Sequence, residues 1–100
     1  MSKPKFQNPA IDALFKAILS LKNDEECYAF FEDLMTVNEL NSLAQRLEVA
    51  RLLKEGKTYS DIERDTGAST ATISRVKRFL NYGAGGYDLI LKRMEDKQEE

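Results

Sequence analysis

At 100 residues, 42% of them hydrophobic and 32% charged, the chain makes one modest globular domain, expected to span residues 1–100, with no room for a second. Its net charge of −2 excludes indiscriminate coating of nucleic acid. A single cysteine, Cys27, and no histidine exclude an intramolecular disulfide and a Cys/His metal site. No metal and no other cofactor is expected, and a reducing cytoplasm is the expected setting.

No apolar run approaches the roughly 18 residues of a membrane span, and the start MSKPKFQNP lacks the apolar core of a signal peptide, so no membrane partner is expected. Residues 1–7 read as a polar, lightly basic arm, mobile in isolation. Asn8-Pro9 supplies an N-cap and a proline at the first helical position, and Ile11, Leu14, Phe15, Ile18 and Leu19 recur at helical spacing, which predicts a first helix. Asn23 and Glu26 form a capping-box pattern ahead of a second helix, with Cys27, Phe30, Phe31 and Leu34 on one side and acids on the other. Cys27 is expected to be a buried small hydrophobe.

Thr36 and Glu39 make another such box, opening a third helix from Val37 to about Glu55, which Gly56 ends. Leu40, Leu43, Leu47 and Ala50 form one stripe on it, while Val37, Ala44, Val49, Leu52 and Leu53 spread apolar surface around the cylinder. A helix of this kind is buried on more than one side, either by central placement in a monomer or by a second subunit.

Residues 58–81 read as two short helices about a sharp turn. Gly67 supplies the residue that takes positive φ without a Cβ clash. Before it, Thr58 caps a helix whose one sizeable apolar contact is Ile62; after it, Ser69 caps a helix with Ile73, Val76 and Leu80 facing inward, a stripe that Phe79 widens. Ile62 five residues before the glycine, and Ile73 and Val76 six and nine after it, match the helix-turn-helix spacing. Glu63 stands where a small residue is common, and Thr66 where an apolar one is. An ordinary helical pair with a solvated basic face is the competing reading.

The outward positions of the second helix carry no acid. A helix fits the major groove of B-DNA with its first residues at base edges and later cations at phosphates. The candidate DNA-binding residues are therefore Ser69, Thr70, Ala71, Thr72, Ser74, Arg75, Lys77 and Arg78: Thr70, Ala71 and Thr72 for close approach to bases, Arg75 for guanine or phosphate, Lys77 and Arg78 for phosphate. From Lys57 to Leu80 five cations face three acids, whereas Asp24 to Glu39 holds six acids and no base. That polarity turns the basic end towards DNA.

Three glycines between Asn81 and Gly86 mark a stop before a last helix, Tyr87 to about Asp96, with Tyr87, Ile90, Leu91 and Met94 apolar. Residues 97–100 are expected to form a frayed tail. The fold class is all-α, with about six helices.

The stretch LMTVNELNSLAQRLEVARLLKEGKTYSDIERDTGASTATISRVKRFL, through LMTxxE, Arg46 within AQRLEVARLLKEG and above all GASTATISR, resembles the Trp repressor family, and within it the Trp-repressor-like YerC/YecD type. The resemblance implies an intertwined all-helical homodimer whose N-terminal helices interlock between subunits. It also implies two recognition helices about one DNA turn apart on a pseudo-palindrome, a docking rule for which Trp repressor is itself one of the source structures. In that relative water mediates base contacts, so an outward side chain need not touch a base.

The resemblance further places Thr36, Arg46 and Arg75 at positions lining the family's tryptophan pocket. The next position, glycine in the tryptophan-responsive repressor, is Val76 here, and its isopropyl group is expected to exclude the indole. A sequence-specific, DNA-binding transcriptional regulator, a homodimeric repressor that does not respond to tryptophan, is the expected function. Double-stranded DNA is the expected partner. A helical protein-interaction module that has lost operator binding is the alternative. An enzyme is not expected, since no phosphate loop and no nucleophile with a base is present.

Overall fold

A computed structural model describes residues 7–98, all α-helical with no strand among them. The elements are α1 (Pro9–Leu19), α2 (Asp24–Leu34), α3 (Val37–Lys54), α4 (Tyr59–Thr66), α5 (Thr70–Tyr82) and α6 (Gly86–Gln98). Contacts divide the described residues into two units, parted between Val37 and Asn38. Of the arm expected over residues 1–7, all but Gln7 lies outside the described residues.

In the first unit each helix starts on a side-chain cap. Asn8 Oδ1 accepts from the Ile11 amide at 2.9 Å, with Pro9 at the first helical position where its missing N–H is no loss. Asn23 Oδ1 accepts from the Glu26 amide at 2.9 Å, and Glu26 reaches back past the cap to the Lys22 amide, also at 2.9 Å. The expected capping box thus closes one residue upstream. Neither helix buries a residue. Cys27 is exposed, against the expectation of burial, because nothing within this unit covers its part of α2. Phe30 and Phe31 are half-buried, edge to face at 5.5 Å between centroids.

The second unit holds the core: Val49, Ala50 and Leu52 of α3, Ile62 of α4, Ala68 in the turn, and Ile73 and Val76 of α5. Leu53, Tyr59, Leu80, Tyr87 and Leu91 pack around it, so α6 adds two residues one turn apart. Each large aliphatic side chain taken fully from water contributes about 1.5–3 kcal/mol, and Val49, Ile62, Ile73 and Val76 are all at or below 1% exposure. Helix α3 ends where expected: the Gly56 amide donates to Leu53 O and the Lys57 amide to Leu52 O, the paired bonds of a Schellman motif. Within this unit its burial is one-sided, with Leu43 44% exposed, although its apolar residues surround the cylinder.

Two helices outrun their expected ends. Helix α5 continues through Asn81 to Tyr82 and is capped by Gly83, whose amide donates to Phe79 O. A Cβ on Gly83 would run into that same carbonyl, so a close approach of backbone requires glycine here. Helix α6 begins at Gly86 and takes in Lys97 and Gln98, the first two residues of the expected tail.

Candidate nucleic-acid interface

The α4–α5 pair is built by local hydrogen bonds. Thr58 Oγ1 accepts from the Asp61 amide at 3.1 Å and Asp61 Oδ2 accepts from the Thr58 amide at 3.4 Å, a reciprocal capping box. Those bonds from Thr58, with Arg64 and Lys57 nearby, hold the Asp61 carboxyl below the ordinary carboxylate range. Gly67 ends α4 in the left-handed region at φ 72°, its amide donating to Glu63 O. Ser69 Oγ then accepts from the Thr72 amide at 3.1 Å and starts α5.

The two positions that depart from helix-turn-helix preference both have structural roles. Thr66, half-buried, donates to Ile62 O at 2.7 Å and accepts from the Ala68 amide at 3.1 Å, so its hydroxyl stitches the turn that an apolar residue would only pack. The Glu63 carboxylate accepts a short hydrogen bond from Thr70 Oγ1, joining the end of α4 to the start of α5. Gln45 of α3 adds a bond from Nε2 to Thr66 O at 3.2 Å. No sequence signal marks Gln45, whose partner is 21 residues away.

Seated on Ile73, Val76 and Leu80, α5 sorts its other residues into strips. Thr70, Ser74 and Lys77, at i, i+4 and i+7, flank α4: Thr70 binds Glu63, Ser74 Oγ lies 3.3 Å from Tyr59 Oη, and the Lys77 ammonium sits over the Tyr59 ring at 5.8 Å. Ala71, Arg75 and Arg78 repeat the spacing on the outward side, with Tyr82 extending that strip. Thr72 lies beyond them with Phe79. Phe79, expected to widen the inward stripe, is 52% exposed, because the core is closed by Ile73, Val76 and Leu80 without it. Ser69 Oγ donates to Thr72 Oγ1 at 3.2 Å, which leaves the Thr72 hydroxyl proton for another acceptor.

Charge is arranged as unevenly as shape. Ion pairs among the described residues involve Arg51 with Glu48 and Glu55, Lys54 with Asp88 at 2.9 Å, and Arg64 with Asp61 and Asp65. Arg75, Lys77 and Arg78 have none, although all three are exposed, and no acid lies on α5. The face can therefore take anionic partners without breaking pairs of its own.

The residues tied to an effector pocket are dispersed in burial. Val76 is 1% exposed within the core, Arg46 and Arg75 are exposed, and Thr36 precedes α3 in the first unit. A cleft of about 630 Å³ in the second unit is lined by other residues, among them Lys54, Lys57, Tyr59, Lys77 and Asp88. No helix among the described residues is long and apolar enough to cross a membrane.

Residues 9–95 match the model of the Trp repressor protein family. The chain is 59% identical over all 100 residues to the uncharacterized protein YerC of Bacillus subtilis strain 168, covering 96% of that protein. It superposes on the crystal structure of a Trp repressor candidate from Staphylococcus aureus with a TM-score of 0.87, at 60% identity and with 89% of each chain covered. A TrpR-like protein from Eubacterium eligens ATCC 27750 gives the same TM-score at 57% identity, covering 89% of this chain and 92% of the other. The chain thus belongs to the Trp repressor family, whose fold is that of a DNA-binding transcription regulator.

Proposed function

We propose that the protein is a sequence-specific transcriptional repressor that binds a pseudo-palindromic operator as a homodimer and does not respond to tryptophan. The observation that carries the reading is the exposed, acid-free surface of α5, with Arg75 and Arg78 on its outward side and Lys77 on the strip beside α4, all three outside every ion pair among the described residues. Thr70, Ala71 and Thr72 of the first turn approach base edges, Arg75 contacts guanine or phosphate, and Lys77 and Arg78 hold phosphates.

Dimerisation is supported by the apolar surface left on α1 and α2, where Phe15 is 55% and Leu19 84% exposed while no residue is buried. A second copy interlocking with these helices covers that surface. The seating of Val76 in the core supports indifference to tryptophan, since its isopropyl group stands where the responsive repressor has glycine.

Selection from random duplex DNA at physiological salt tests the groove-reading part. A two-fold-symmetric motif with half-sites about one turn apart is expected. Arg75→Ala then relaxes preference within the motif, whereas Lys77→Ala weakens binding to all sequences and flattens its salt dependence. Failure to enrich any sequence leaves either an effector requirement or the interaction module, and partner capture is then the next experiment. Calorimetry with free tryptophan is expected to show no micromolar binding.

A further inference from the structure

The Glu63 carboxylate is a misfit on a surface that meets phosphate. It lies on α4 next to the start of the recognition helix and is exposed. Alone among the three acids of α4 it has no ion pair with a described residue, since Asp61 and Asp65 both pair with Arg64. Its partner is instead the Thr70 hydroxyl, the first side chain of α5.

That bond fixes the chemistry of both groups. A threonine hydroxyl has one proton and can otherwise serve as donor or acceptor; with the proton given to Glu63 Oε1, Thr70 Oγ1 offers lone pairs only. The second carboxylate oxygen of Glu63 is an acceptor as well. The pair therefore presents acceptors and no donor at the base-reading end of α5. A carboxylate in that place repels phosphate and weakens binding unless a donor meets it. In the major groove the available donors are the amino groups of cytosine and adenine. Adenine carries its own N7 acceptor beside the amino group, while cytosine carries N4–H₂ and no acceptor of its own on that edge, the adjacent O6 belonging to its paired guanine; guanine and the thymine carbonyl offer acceptors alone.

We propose that Glu63, held by Thr70, is a specificity-determining residue that selects cytosine at one position of each operator half-site. This rests on the groove-reading function proposed above and adds to it a residue of α4, outside the recognition helix.

The test is a comparison of motifs selected from random duplexes by the parent, Glu63→Gln and Glu63→Ala, with circular dichroism confirming that each is folded. The parent enriches a motif with cytosine at one symmetry-related pair of positions, favoured roughly five- to a hundredfold over other bases. In Glu63→Gln the amide oxygen keeps the bond from Thr70 and turns the –NH₂ donor outward. Cytosine is then lost at that pair alone and replaced by acceptor-bearing bases. Glu63→Ala shows no preference there and, at low salt, gains affinity for duplexes lacking that cytosine but not for the parental site. If both variants return the parental motif, or only raise affinity uniformly, Glu63 is a structural tie and the proposal is overturned. If the parent itself enriches nothing, groove reading fails first and this inference falls with it, an outcome distinct from a parental motif that the variants leave unchanged.

Discussion

Residues 7–37 and residues 38–98 are both built from α-helices, and α1 and α2 begin on side-chain caps of the same kind as α4 and α5, yet every buried residue belongs to the second group. Caps at Asn8 and Asn23 fix where α1 and α2 begin, as Thr58 and Ser69 do for α4 and α5. They do not make the first two helices stable, because isolated helices shorter than about 12–15 residues are marginal in water and α1 and α2 have 11 residues each. Start points are written in local hydrogen bonds, whereas persistence needs apolar cover. On the dimeric reading, the first unit obtains that cover from a second copy.

The largest expected effect sharpens this contrast. Ile73→Ala, at a site with no exposure, should cost about 2–5 kcal/mol in urea unfolding followed by circular dichroism, whatever the protein concentration. Phe15→Ala, on a half-exposed face, should cost less than about 1 kcal/mol in dilute solution and more as the concentration rises. A concentration-independent loss as large as that of Ile73→Ala would break the comparison, since it would mean that α1 is fully stabilised within the chain.

Gly83→Ala comes next, with about 1–3 kcal/mol expected from the collision with the Phe79 carbonyl and a shortened α5. Gly67→Ala should cost less, about 1–2 kcal/mol, because the space around its Cβ is open and only the left-handed backbone is strained. Thermal melts of both variants check the order, and a larger loss at Gly67 would contradict it. Acid gives the smallest effect. The Asp61 carboxyl is held low by Thr58, and the Glu48 carboxyl is held low by its hydrogen bond from Arg51. A carboxyl depressed on folding contributes stability above its unfolded pKa and loses it as the pH falls through the folded value. Urea midpoints should therefore be flat from pH 8 to 6, where no histidine titrates, and decline below about pH 4. Asp61→Asn should reduce that decline.

Much of the molecule was legible because it is governed by neighbours in the chain. Asn8, Asn23, Thr58 and Ser69 accept bonds from amides three residues on, and Gly67 answers a turn spanning a few residues. Ile62, Ile73 and Val76 could be placed in the core from spacing alone. Cys27 and Phe79 could not be placed correctly, because spacing gives a side chain's direction but not whether anything lies there to cover it. At the candidate interface, the residue types on α5 were readable while their partners were not. That Thr70 meets Glu63, and Ser74 meets Tyr59, depends on the angle between two helices.

The sorting of α5 also bears on how such a protein can change over generations. Ile73, Val76 and Leu80 anchor the helix, and Ala71, Arg75 and Arg78 point away from them, so selection acts on the two sets almost separately. A substitution at Ala71 or Arg78 disturbs no buried atom and can alter what the helix recognises in a single step. Duplicated copies of such a gene could diverge in their targets while folding alike, with most of the inherited difference confined to the outward side of one thirteen-residue helix.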